Sequence, residues 1–249
     1  MKIKPYELQQ LEAKVARFRE KNELGRGRPI DWEKLLLRLG VRTVFKPLDG
    51  AFSGMAIRHG DKSFMLVNSD HSLGKQNFTI AHELYHLFIQ SSFTPHASQA
   101  GQFGAQSDPE ELFADWFAAL LLMPDFRILV VADEAGEMEP TPHLSLGTVV
   151  KLEQEFQCSR RALLVRLENL NLITRAQREE WAANPAATAR QFNFPTELYR
   201  STPHREPIGD YVAIASRLYD QEQISETDYA NLLFDFGLDL SHVGTENPD

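Results

Sequence analysis

The stretch Asn77-Phe78-Thr79-Ile80-Ala81-His82-Glu83-Leu84-Tyr85-His86-Leu87-Phe88 decides how this chain is read. It holds His-Glu-x-x-His inside a run of helical period, which predicts a helix over roughly 77–90. Residues four apart on a helix differ by about 40° around its axis, so His82 and His86 point the same way. Two imidazoles so placed can hold one Zn2+ at about 2.0–2.1 Å. Glu83, next to the first histidine, can then serve as general base toward a water on that ion. Ile80, Leu84, Leu87 and Phe88 are expected to anchor the opposite side in the core. Three fixed positions are too few to stand alone, because a buried helix with two hydrogen-bonded histidines would read the same.

A catalytic zinc needs a third protein ligand and an open position. A pattern with Gly three residues and His six residues beyond the second histidine fails, since Ile89 and Ser92 stand there. His96, ten residues on, is a possible ligand with nothing else to support it. The stronger candidate is Glu110-Glu111-Leu112-Phe113-Ala114-Asp115-Trp116-Phe117-Ala118, on a second helix expected from Pro109 to about Leu122. Glu111 and Asp115 stand at i and i+4 and share a face. Glu111 would bind the metal, while Asp115 would accept the far ring N–H of a ligating histidine and so set its tautomer. Capping competes for Glu111: with Asp108 as N-cap and Pro109 at N1, Glu111 falls at N3. Capping explains neither Asp115 on the same face nor the two histidines upstream.

Outward from these helices, composition excludes more than it names. The chain has 249 residues, 26 Lys plus Arg against 35 Asp plus Glu, and 43% apolar residues, ordinary values for one or two globular domains. Its single cysteine, Cys158, permits neither an intrachain disulfide nor an all-thiolate zinc cage. The start lacks the apolar region of a secretory signal, and no apolar run is long enough for a membrane span. A net charge of −9 argues against generic nucleic-acid binding. Residues 1–40 alone carry ten Lys/Arg and six Asp/Glu. Leu8, Leu11, Val15 and Phe18 predict an amphipathic helix within 6–24, its charges a solvated face or an arm for an acidic partner. Asp31 caps a short helix that Gly40 stops. Strands are expected over 41–45, 52–58 and 63–68, the last two joined by a hairpin at His59-Gly60-Asp61. Residues 145–173 read as two short helices about Gln157-Cys158-Ser159, a helix-turn-helix rhythm. Residues 178–207 are poor in pattern and read as a linker or arm, and two helices follow at 208–221 and 225–236.

Phe78 to His86, together with Glu111 through Met123-Pro124, resembles the ImmA/IrrE metallo-endopeptidases. Their pattern is F-T-x-A-H-E-x-x-H, then E-x-x-A-[DN]-x-F-A and a closing L-M-P. The resemblance covers most of residues 30–235. It implies a gluzincin-like zinc protease in which His82, His86 and Glu111 hold the metal and Glu83 is catalytic. Two imidazoles and a carboxylate also accept Mn2+. It further implies an α+β fold, with a small antiparallel sheet packed on the active-site helices, a helix-turn-helix-like subdomain and C-terminal helices. The corresponding division is 1–28 as an N-terminal helix or arm, 29–140 as the peptidase core, 141–177 as the helical subdomain and 178–249 as arm and final helices. Members are cytoplasmic bacterial enzymes that cleave repressors or antitoxin-like regulators, switching on stress or mobile-element genes. With no DNA reader fused here, the expected substrate is a separately encoded helix-turn-helix protein.

Tyr85 departs from the family, where many members have Gly; its phenol either packs near the metal or helps bind substrate. Tyr85, His96, His143 and His204 are all candidates to stabilise an oxyanion. The rival reading is a non-enzymatic metal-binding transcriptional regulator, in which Arg160, Arg161 and Arg166 of the 145–173 unit meet DNA phosphate. Glu153, Glu155 and Glu168 in the same unit favour a bracing role. Asp235-Phe236-Gly237 lacks every other kinase element.

Overall fold

The computed structural model describes residues 3–25, 27–91, 98–103, 108–139, 143–203 and 205–235. His96, His204 and the Phe236-Gly237 pair lie outside them. Helix α1 (Pro5–Lys21) starts with proline at N1, and α2 (Trp32–Leu39) runs from the Asp31 cap to Gly40, whose φ of 65° ends it. Strands β1 (Val41–Lys46), β2 (Gly54–His59) and β3 (Lys62–Asn68) follow, then α3 (Leu73–Phe88) and α4 (Pro109–Leu122). α3 thus begins one turn before the motif-based reading.

The α+β class holds, but the sheet is mixed. β2 and β3 form the antiparallel hairpin turned by Gly60, whereas β1 pairs in parallel with β3, giving the order β1-β3-β2. The hairpin folds back so that β3, not β2, meets β1. Apolar alternation sets which face of a strand is buried but does not say which neighbour it takes. β2 is therefore an edge strand, and it packs against α3.

α3 is wedged between the sheet and α4, and α4 is backed in turn by α1. That position explains why 13 of its residues are buried. Leu11, Val15 and Phe18 of α1 enter the core, with Phe18 edge-on to Phe117 at 5.6 Å. Arg19 is buried too, and donates to the carbonyls of Leu121 and Gly25. The α1 basic face is thus only partly solvated. Phe88 is 39% exposed at the end of α3, so it is not the core anchor its helical phase implied.

Proline at 124 ends α4 as expected, yet it also serves as N-cap of α5 (Asp125–Glu134), a helix the sequence reading lacks. α6 (Leu146–Phe156) and α7 (Arg160–Asn169) form the helix-turn-helix-like unit, turned by Gln157 at φ 52°. The segment read as a linker or arm holds most of α8 (Arg175–Trp181), then α9 (Pro185–Gln191) and a 3-10 turn at Glu197–Tyr199. These pieces are short and bury few residues, so they leave little apolar period in the sequence. Beyond them the chain runs back along the sheet, where Ile208 bridges Thr43 on the outer edge of β1. α10 (Tyr211–Asp220) and α11 (Glu226–Asp235) pack on each other, around Ala215, Tyr229 and Leu233. Ser225 accepts a hydrogen bond from the Asp228 amide, as its N-cap role requires. No helix among the described residues is long and apolar enough to cross a membrane.

Candidate metal centre

The i, i+4 spacing on α3 brings the Nε2 atoms of His82 and His86 to 3.2 Å. Packing of α4 on α3 adds Glu111, with Oε2 3.4 Å from His82 Nε2 and Oε1 3.2 Å from His86 Nε2. All three side chains are buried. Ligands about 2.0–2.1 Å from a tetrahedral ion stand roughly 3.3 Å apart, so the spacing of these donors is that of a coordination shell. Glu111 thus points to the histidine pair, while Asp108 caps α4 through the Glu110 amide.

The surrounding hydrogen bonds point lone pairs inward. His82 Nδ1 lies 3.0 Å from Asp115 Oδ1, which as a carboxylate can only accept. The ring proton is thus at Nδ1, and the Nε2 lone pair faces His86 and Glu111. His86 Nδ1 lies 2.8 Å from the side-chain oxygen of Gln90 and is arranged the same way. Asp115 is itself held by the backbone amides of Gly101 at 2.6 Å and Phe103 at 2.7 Å. With both imidazoles neutral, two lone pairs and a carboxylate converge on one buried point. Burial opposes protonation of His82, yet the hydrogen bonds to Asp115 and Glu111 and the charges of Asp115 and Glu83 raise its pKa to about 10. The site favours positive charge, and its donors, nitrogen and carboxylate oxygen, suit a borderline divalent metal.

Glu83 is 1% exposed beside this group. Its Oε1 accepts a hydrogen bond from Ser98 Oγ, which also lies 3.0 Å from the Gly54 carbonyl oxygen. Gly54 opens β2 where strand and helix touch. A Cβ there would lie 2.5 Å from Thr79 Cγ2 and 3.3 Å from Glu83 Oε1, so only glycine fits. Ser98 completes the contact by bridging the outer edge of β2 through its backbone.

The remaining sequence candidates separate. The Tyr85 hydroxyl donates to Glu110 Oε2 at 2.7 Å on the α1–α4 side, and burial, then Glu110, push its pKa well above the ordinary phenol value. Packing, not oxyanion stabilisation, is what its contacts describe. His143 approaches Gln177 at 3.3 Å and none of the metal-site residues. Ser98, Gln90 and the Gly101 and Phe103 amides were not singled out from sequence. Gln90 was findable, as the residue one turn beyond His86. Ser98 was not, because its partner Glu83 is distant in the chain and its loop has no period.

The helix-turn-helix-like unit turns its charges inward. Arg160 forms a buried ion pair with Glu153, and the buried Arg166, beneath the Trp116 ring, pairs with the more exposed Asp125. Two of the three arginines assigned to phosphate contact are thereby withdrawn from the surface, leaving Arg161 exposed.

No curated protein matches the chain. A family model, the IrrE N-terminal-like domain of Peptidase_M78, matches residues 37–168, a span that begins in α2 and takes in the whole sheet, both metal-site helices and α7. That is just over half of the chain, and with a buried His-His-Glu group at its centre the protein belongs to the Peptidase_M78 family of IrrE/ImmA-type metallopeptidases.

Proposed function

We propose that the chain is a zinc-dependent endopeptidase that cuts a specific bond in a separately encoded helix-turn-helix regulator, and so controls stress or mobile-element genes. The observation that carries this reading is the convergence of His82, His86 and Glu111, with Glu83 buried alongside. A divalent ion held by those three residues supplies Lewis acidity, activating water and polarising the scissile carbonyl. Glu83 takes a proton from the attacking water and delivers it to the leaving amine. Asp115 keeps His82 in the tautomer that presents Nε2, and Gln90 does the same for His86. Ser98 and Gly54 hold the Glu83 carboxylate in place. The burial of Arg160 and Arg166 supports a bracing role for α6 and α7 over DNA contact.

The test is co-expression of wild-type and Glu83→Gln protein with candidate helix-turn-helix regulators, followed by mass spectrometry for a specific cut. Glu83→Gln should retain one metal ion per chain while cleavage falls by about 10²–10⁴-fold, the usual share of a general base. Undiminished cleavage by Glu83→Gln would falsify the mechanism. Salt-dependent DNA binding without proteolysis would favour the regulator reading.

A further inference from the structure

Against the segment that holds Asp115 is a cavity of about 350 Å3 whose walls carry Lys75, Arg160 and Arg161 and, among the described residues, no carboxylate. That is notable in a chain with net charge −9. One wall is Ser53, adjoining Gly54, and the segment Gln99 to Gly101, adjoining Ser98. Gly54 and Ser98 are residues that abut Glu83, and Gly101 donates to Asp115, so this wall of the cavity is built from the segments that flank the metal site. Of its three cations, Arg160 is satisfied by Glu153 and by the Trp181 carbonyl. Lys75 and Arg161 have no ion pair among the described residues. Among the described residues Lys75 Nζ meets the His71 ring, at 3.0 Å, and its pKa is lowered by burial and by the nearby Arg161 guanidinium. Two like charges facing one cavity are relieved by an anion between them, and a carboxylate can take charge-assisted hydrogen bonds from both.

We infer that this cavity receives an Asp or Glu side chain of the protein substrate, with Lys75 and Arg161 as its specificity-determining residues. The inference rests on the peptidase reading and adds the chemistry of what is recognised. Lys75 and Glu83 are eight residues apart on α3, about 12 Å along the axis. An extended peptide advances about 3.3 Å per residue, which places the acidic residue about three to four positions from the cut.

A randomised peptide library tests this in two arms, both with the full chain loaded with zinc. In the cleavage arm, products of the wild-type enzyme should show Asp or Glu favoured about tenfold or more over Asn or Gln at one such position, the factor a charge-assisted hydrogen bond supplies. Arg161→Glu, at an exposed position, should lose that preference and favour Lys or Arg there. Lys75→Gln should weaken it. In the binding arm, peptides captured by Glu83→Gln should show the same acidic enrichment, abolished when Arg161→Glu is added. Absence of acidic enrichment in both arms, or a profile unchanged by Arg161→Glu and Lys75→Gln, overturns the inference. Peptides cut with no acidic preference overturn it while leaving the peptidase reading intact. Acidic peptides bound but never cut by the wild-type enzyme support the cavity and overturn the peptidase reading.

Discussion

Two regions of this protein bury charged side chains to a similar depth and use them in opposite ways. In the α6–α7 unit, Arg160 and Glu153 have side chains 3% and 0% exposed, and each charge meets its opposite within the chain. At the α3–α4 contact, Glu83, Glu111 and Asp115 gather about two imidazoles, with Glu111 and Asp115 each within 3.4 Å of a histidine nitrogen. A buried charge is costly unless compensated. In the first region the compensation is internal, so the pair acts as a brace. In the second, two imidazoles and Glu111 are arranged as metal ligands, so a bound cation would compensate the carboxylates and the same kind of burial makes a candidate binding site.

That contrast can be broken from either side. The largest expected effect on folding is at the brace: Arg160→Ala leaves Glu153 buried without its counter-charge, with the Tyr199 hydroxyl still donating to it, and should cost about 3–5 kcal/mol in a denaturant titration. A loss below about 1 kcal/mol would show that Glu153 finds water or another donor, and the contrast would fail. The second effect is at the open site. Removing metal with a chelator should lower unfolding free energy by about 2.7 kcal/mol relative to protein held at metal concentrations 100-fold above Kd. Thermal unfolding that ignores the chelator would mean the three donors need no cation. Glu111→Ala should be chelator-insensitive from the outset.

Smaller changes sharpen the comparison. Asp115→Asn keeps the shape but weakens control of the His82 tautomer, and metal affinity should fall about 10–100-fold in a competition titration. Tyr85→Phe removes only the partly buried hydrogen bond to Glu110, expected to cost about 0.5–1.5 kcal/mol of stability. Peptidase turnover should be unchanged. A marked loss of turnover with stability intact would return the Tyr85 hydroxyl to the reaction.

Legibility in the sequence followed the range of the interaction. The helices at 109–122 and 32–39 were readable because their caps and stops, Asp108 and Pro109, Asp31 and Gly40, act within one turn. The strands were readable from composition and alternation. Parallel pairing of β1 with β3 was not, because register depends on which strand arrives beside which. The capping ambiguity of Glu111 persisted in the sequence for the same reason: the side chain has two uses, one local and one across 25 residues. α8 and α9 were lost because their faces bury little, and α5 because Pro124 both stops one helix and starts the next.

The sequence by itself determined that His82 and His86 share one helix face, that Glu111 and Asp115 share another, and that any metal site here would use imidazole and carboxylate. Those statements need only the helical repeat and the absence of a second cysteine. Only the tertiary structure decided that the two faces meet with donors 3.2–3.4 Å apart, that Ser98 and Gly54 abut Glu83, and that Arg160 and Arg166 face inward. Each depends on distant segments packing on α3 and α4 or within the α5–α7 region. Helical periodicity orients a side chain about its own axis, but what it meets there is set by the packing of the whole core.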